Sequence, residues 1–294
     1  MEYIDIMLQP MPIPKIADVV TNCWIIAEKK TRKLLADRHF DKDEEFITEL
    51  FHGEFRCTVD KASKAGDIKE AFLHDLREQF PDIRDSFELE IIASGITANV
   101  SKHSKSIEGE SGGDLGITFI RPNVTACDVD PSVLNIDDDY RRGLLCQAKI
   151  KRRPSKGHKS CWGSFTTNQK KILPERLKYL SLLLYEYEDE QRHNLNPFSW
   201  QLCNSVQLDK VENWLKNGVF PNRTTSDRII KMIGTDKIGT DDKRILKQYI
   251  DPEVRRALIV KIGWLPDKKP PSQVTIERNI QLKQEEQICI VRSR

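Results

Sequence analysis

The chain reads as an α/β protein, with a mixed β-sheet flanked by helices and further helices at both ends. Three observations carry that reading. Apolar residues recur at helical spacing over residues 16–35, with Ile16, Val20, Trp24 and Ala27 on one stripe. Short apolar segments that suit buried strands follow at 112–120 and 144–150. Helical periodicity then returns over 208–250, punctuated by Gly218, Gly234 and Gly239.

Taken in order, Pro12 and Pro14 sit where the first helix is expected to begin. Residues 41–52 open a second helix, because acids fill its first turn and favour the positive helix end. Phe46, Leu50 and Phe51 make its apolar face. A third helix is expected over 68–80, with Phe72 and Leu76 one turn apart and Pro81 just beyond. Residues 87–93 alternate with period two and are expected as a half-buried strand. The strand at 112–120 closes at Pro122. An acidic loop with Asp128, Asp130 and Asp137 to Asp139 leads to the strand at 144–150, apolar enough to be central. Residues 168–187 read as a long helix with Leu173, Leu177, Leu180, Leu184 and Tyr187 as its buried stripe, its regular part starting after Pro174. A fourth strand is expected at 198–204. Ile-Gly-Thr-Asp occurs at 233–236 and again at 238–241, too short a period for a solenoid. It marks turns whose Thr and Asp cap the helices that follow. The organisation implied is an N-terminal helical segment (1–40), a core (41–205) and a helical C-terminal extension (206–294) packed on the core.

Composition removes several classes of function. A chain of 294 residues with 38% hydrophobic residues buries a real core. Its 31% charged residues and mean hydropathy of −0.53 exclude an integral membrane protein. The first fifteen residues lack the basic start and apolar stretch of a signal peptide, which points to the cytoplasm. A net charge of +2, from 47 Lys and Arg against 45 Asp and Glu, means that any nucleic-acid face is local. Seven cysteines, an odd number without Cys-x-x-Cys, read as buried free thiols in a reducing compartment. The six histidines show no metal spacing, and no glycine-rich phosphate loop is present, so the chain is not expected to hydrolyse ATP by itself.

The chemistry concentrates on two strands. Asp114 follows Gly112-Gly113, while Gln147 and Lys149, two apart, share a strand face from which Cys146 and Ala148 turn away. If the strands pair, a carboxylate, an amide oxygen and an ammonium meet at one end of the sheet. That trio suits phosphodiester cleavage. A hard cation such as Mg²⁺ or Mn²⁺ takes oxygen ligands, here the Asp114 carboxylate, the Gln147 side-chain oxygen and the Ala148 main-chain carbonyl. Lys149 would orient the attacking water or stabilise developing negative charge. A neutral Gln leaves the site one charge short, so a further carboxylate is expected from the preceding helix. Glu45, Glu49 and Glu54 are the candidates; Glu45 and Glu49 lie one turn apart, and Glu45 is favoured at the helix start. Glu108 and Glu110 lie in a stretch expected to be flexible and make poorer ligands.

These residues carry a resemblance. Gly112-Gly113-Asp114 followed by Cys146-Gln147-Ala148-Lys149, after an acid-bearing helix, resembles the PD-(D/E)XK nuclease superfamily over roughly residues 40–205. Its branch with a D…QxK signature, found in Mrr-like restriction endonucleases and anti-phage effector endonucleases, is the nearest match. The resemblance implies a restriction-endonuclease-like mixed sheet and catalytic positions at Asp114, Gln147 and Lys149, with Glu45 or Glu49 as the helix acid. It further implies a cytoplasmic Mg²⁺-dependent DNA endonuclease, the effector of a bacterial anti-phage defence system. Such an effector is restrained by an operon-encoded partner such as an ATPase, or activated as a homo-oligomer. Two departures stand out: no proline precedes Asp114, and Gln replaces the second acid.

A basic segment follows at once. Lys151, Arg152, Arg153, Lys156 and Lys159 are placed to contact the phosphates of double-stranded DNA. Trp162 and Phe165 are core residues before they are base-stacking ones, and Trp200 and Trp214 belong to the core outright. His52 reads as a helix-surface histidine. The alternative function is a non-catalytic nucleic-acid-binding or adaptor protein on the same fold, or a nuclease acting on RNA.

Overall fold

The computed structural model describes residues 11–36, 43–83, 87–102, 113–126, 134–152, 161–188, 194–204, 206–250 and 257–264, with isolated positions beyond 277. Three helices come first, α1 (Pro14–Ala36), α2 (Glu44–Ala65) and α3 (Asp67–Gln79), and they pack on one another. Asp75 of α3, almost wholly buried, accepts the first N–H groups of α1, Lys15 at 3.0 Å and Ile16 at 3.2 Å. Asp43 caps α2 by accepting the N–H of Phe46 at 2.7 Å. The buried stripe of α2, Ile47, Phe51, Phe55 and Val59, meets Trp24 of α1, whose ring centroid lies 4.3 Å from Phe51 and 5.0 Å from Phe55.

Residues 87–93 are not a strand. They form α4 (Phe87–Ser94), with Leu89, Ile92 and Ala93 buried. The alternation fails at the adjacent Ile91-Ile92-Ala93, while spacings of three and four put Leu89, Ile92 and Ala93 on one helical face. Glu88 and Glu90 in the first turn favour the same outcome.

The sheet consists of β1 (Ile96–Lys102), β2 (Leu115–Ala126), β3 (Leu134–Arg152), β4 (Cys161–Trp162), β5 (Leu180–Tyr185), β6 (Ser199–Leu202), β7 (Arg223–Thr225) and β8 (Ala257–Trp264). Its order is β1-β8-β2-β3-β5-β6-β7, with β4 paired to the end of β3. β2 runs antiparallel to β3, Leu115 opposite Cys146, while β5 is parallel to β3 and β8 is parallel to β2. The fold is therefore mixed α/β.

Four expectations change here. Residues 168–187 are not one helix: α5 (Thr167–Ile172) and a 3-10 segment, Leu173–Tyr179, lead into β5. The leucines do fall at helical spacing, but Leu180 to Tyr185 is buried at every position, as a parallel strand covered on both faces must be. The extension from 206 onward is not purely helical. Besides α6 (Leu208–Asn217) and α7 (Ser226–Gly234) it supplies β7 and β8, and β8 lies inside the sheet between β1 and β2. A division at 205 therefore cuts the sheet. Asp137 to Asp139 lie in β3 rather than in a loop.

Two apolar clusters cover the two sheet faces. Cys146, Ala148, Ile150, Leu183 and Tyr185 join α1, α2 and α3 in the larger one. Leu145, Leu182 and Leu184 join Phe165, Leu173, Leu177 and α6 in the other. The repeated Ile-Gly-Thr-Asp units clip the C-terminal helices to the sheet. In the first, Gly234 O and Asp236 Oδ2 accept from the Arg121 guanidinium of β2 at 3.1 and 2.5 Å. In the second, Ile238 O accepts from Arg142 of β3 at 3.0 Å and Asp241 pairs with the same side chain. Within the second unit Gly239 holds φ at +85°, and a Cβ there would stand 2.4 Å from Gly143 O. The cap of the following turn is Asp242, which accepts from Arg244 N at 2.8 Å, and not Asp241. Cys23, Cys146 and Cys203 are buried free thiols, whereas Cys57 is exposed. No helix among the described residues is long and apolar enough to cross a membrane.

Candidate functional site

β3 is longer than its neighbours on one edge. β2 pairs with it up to Cys146 and β4 only from Lys151 onward. Backbone groups of alternate residues point the same way along a strand, so Cys146, Ala148 and Ile150 address this edge. Cys146 O accepts from Asp114 N at 2.9 Å, and Ile150 O accepts from Gly163 N at 3.4 Å. Between those two bonds the strand partner is missing. Two carboxylates take its place: Oδ2 of Asp114 accepts the N–H of Ala148 at 2.9 Å, and Oε2 of Glu44 accepts the N–H of Ile150 at 2.8 Å. Buried N–H groups need acceptors, and here both acceptors are charged.

Gly113 makes the first of these contacts possible. A Cβ on it would lie 2.5 Å from Leu145 Cδ1 and 3.0 Å from Cys146 O, so only glycine lets the chain enter close against β3. Glu44 arrives from the first turn of α2, on the face that buries Ile47 and Phe51. Below the carboxylates, Tyr185 is fully buried and shares a hydrogen bond of 2.9 Å with Thr48. Burial pushes its phenol up, and the negative charges of Glu44 and Asp114 push the same way.

On the opposite face of β3, Gln147 and Lys149 are 1% and 4% exposed. The Gln147 amide nitrogen donates to Asp114 Oδ2, and its oxygen accepts from Gln169 Nε2 of α5 at 2.9 Å. The expected ligand oxygen of Gln147 thus faces Gln169, and its nitrogen faces the carboxylate. Lys149 Nζ stands 5.5 Å from the centre of the Phe165 ring. Among the described residues it makes no ion pair.

The remaining candidates divide. Asp114 meets Gln147 and the Ala148 N–H, and Lys149 lies two residues from Gln147 on the same face of β3. The acid that α2 delivers to β3 is Glu44, which the sequence reading passed over for Glu45 and Glu49. Glu49 is exposed and pairs with Lys102 of β1, and Glu45, one residue beyond Glu44, is rotated by about 100° from it around α2. Glu54 is paired with Lys30 at 3.8 Å. Lys151 pairs at 2.5 Å with Glu186, which also holds Arg223 at 3.1 Å. Burial pushes the Glu186 carboxyl up, but its bonds to Lys151 and Arg223 outweigh that and hold it below its ordinary value. Arg152 lies in β3, its side chain outside the description, and Arg153, Lys156 and Lys159 lie outside the described residues. Trp162 and Phe165 are buried, as expected of core residues. His52 is held down to about 4 by burial and by the neighbouring Lys102, with Glu49 opposing.

The donor set at the edge of β3 is all oxygen, from two carboxylates and the Ala148 carbonyl. That suits Mg²⁺ or Mn²⁺ rather than a softer metal. Among the described residues no group of three or more His, Cys, Asp and Glu side chains gathers to hold a metal. No known protein family matches the chain, and no curated protein matches its sequence.

Proposed function

We propose that this protein is a divalent-metal-dependent nuclease, hydrolysing phosphodiester bonds in DNA at the open edge of β3. The observation that carries the reading is the gap between β2 and β4, where Asp114 and Glu44 stand in for a strand beside the buried Lys149. Asp114, Glu44 and the Ala148 carbonyl would hold the cation. Bound there, it would polarise the scissile phosphate and lower the pKa of a water. Lys149 supplies a positive charge in a site of low dielectric, where it favours the charge that builds on a phosphate in the transition state. A lysine buried this deeply is costly unless an anion meets it, and a substrate phosphate is such an anion. Lys151, at the rim, is shared with Glu186 and positions rather than reacts. The effector role in anti-phage defence, with a restraining partner such as an ATPase, rests on the sequence resemblance alone.

The second reading, a non-catalytic nucleic-acid-binding protein, is favoured by the small number of acids at the site and by Gln147 turning its nitrogen to Asp114. One assay separates the two. Supercoiled plasmid and an RNA transcript are incubated with the purified chain in Mg²⁺, Mn²⁺ or EDTA, beside Asp114→Asn and Lys149→Met proteins of wild-type melting or better. Metal-dependent nicking of the plasmid, lost in both variants, is the expected result. Cleavage of the transcript alone moves the substrate to RNA. Duplex binding without cleavage favours the second reading, and cleavage that survives both substitutions removes the site.

A further inference from the structure

We infer that the hydrogen-bond chain from Thr166 to Asp114 has a fixed direction, which makes Gln147 a donor to Asp114 and Gln169 the positioning residue that keeps it so. The chain begins at the N-terminus of α5. Thr166 Oγ1 accepts from Gln169 N at 3.2 Å, and Gln169 Oε1 accepts from Thr166 N at 2.9 Å, a reciprocal capping box. It continues from Gln169 Nε2 to Gln147 Oε1 at 2.9 Å and from Gln147 Nε2 to Asp114 Oδ2.

Neither amide is free to turn over. A backbone N–H can only donate, so the atom of Gln169 that faces Thr166 must be its oxygen. The nitrogen of Gln169 then faces Gln147, which must answer with its oxygen. The nitrogen of Gln147 is left for Asp114, and an ionised carboxylate can only accept. A main-chain donor at one end and a carboxylate at the other set the direction of every link. Reversing Gln147 alone would set two NH₂ groups against each other and two oxygens against each other. With Gln147 at 1% exposure, water is excluded as a substitute partner.

Resting on the metal-nuclease reading, the consequence is that Gln147 does not supply its oxygen to the cation. It neutralises part of the charge on Asp114 Oδ2 and fixes that carboxylate against β3, as outer-shell partners do for ligands elsewhere.

Gln169→Glu tests the direction. Glutamate keeps the capping box and suits a helix N-terminus, so its local effect on α5 is favourable. It has no donor for Gln147. Gln147 must then either leave its oxygen without a donor or turn over and set that oxygen against Asp114. The inferred direction therefore predicts a melting temperature in EDTA at pH 7 that falls by a few degrees. It also predicts that Mn²⁺, followed by calorimetry, binds about tenfold tighter, since a turned Gln147 adds an oxygen to the site. Loss of packing alone would lower melting without tightening Mn²⁺. A melting temperature that rises overturns the inference, because only the opposite direction would be relieved by the substitution. Lower melting with weaker Mn²⁺ binding overturns the positioning role. Lower melting with no Mn²⁺ bound by either protein upholds the direction and removes the metal reading instead.

Discussion

Oε2 of Glu44 accepts the backbone N–H of Ile150 at 2.8 Å, joining residues 106 positions apart. The bond anchors the first turn of α2 to the one stretch of β3 that lacks a strand neighbour on that edge. With Asp114 two residues away on the same edge, it turns a defect in the sheet ladder into a pair of aligned carboxylates.

That placement separates Glu44 from Glu49. Glu44→Gln is expected to lower metal-dependent cleavage about tenfold or more, a barrier change of about 1.4 kcal/mol or above. Glu49→Gln weakens the pair between the exposed Glu49 and Lys102 and should leave the rate within about twofold, since such pairs contribute about 1 kcal/mol or less. Initial nicking rates of the two proteins check both halves.

Lys149 gives opposite expectations for stability and activity. Methionine fills the space of the lysine stem beside Phe165 without a charge to desolvate. Lys149→Met should melt at the wild-type temperature or higher while cleavage falls about 10²–10³-fold, the scale of removing one electrostatic stabiliser. Calorimetric melting and plasmid nicking on the same preparation decide it.

His52 gives a pH dependence. Its ring is held down to about 4 by burial and Lys102, so folding favours the neutral form. The stability this contributes is fully present above the unfolded value near 6.5 and is lost as pH falls through about 4. The groups that face it are Lys102, Glu49 and Arg56. Between pH 7 and pH 4.5 the wild-type urea midpoint should drop further than that of His52→Gln, and equal drops would remove His52 as the cause.

The two Ile-Gly-Thr-Asp units should respond unequally to the same change. Arg121 is 2% exposed and its partner Asp236 is largely enclosed, whereas Asp241 is exposed beside Arg142. Asp236→Asn, which still tolerates the positive φ at that position, should cost about 1.5–3 kcal/mol as a charged buried hydrogen bond is weakened. Asp241→Asn should cost about 1 kcal/mol or less. Chemical denaturation of the two single variants gives the comparison.

β2, which starts just after Asp114, and β3 were legible because each contains a short apolar run, and in β3 the polar Gln147 and Lys149 stand two apart within it. Glu44 was legible in principle. It precedes Ile47, Thr48 and Phe51 by three, four and seven residues and so lies on the face that α2 buries, whereas Glu45 is rotated by 100° from it. What hid it was the choice of a helix acid by its place near the helix start rather than by the rotation of the apolar stripe. β5 was hidden because Leu177, Leu180 and Leu184 satisfy a helical period even though Leu182 and Leu183 fill the gaps. β8, Ala257–Trp264, is at least as apolar as the 144–150 run of β3 and pairs with β1 and β2, strands far earlier in the chain. Its partners are set by long-range pairing, which local periodicity does not report. The direction of the Gln147 amide follows from Gln169 and Thr166, and only the fold brings α5 to β3.

The proposed chemistry requires a cation held by Asp114 and Glu44. Titration of Mn²⁺ into the metal-free protein, followed by calorimetry, tests it most directly, with Asp114→Asn, Glu44→Gln and Glu49→Gln alongside. Saturable binding is expected of the wild type and Glu49→Gln, weaker binding of Glu44→Gln and none of Asp114→Asn. Binding that Asp114→Asn retains at wild-type affinity, or no binding by the wild type, would contradict it.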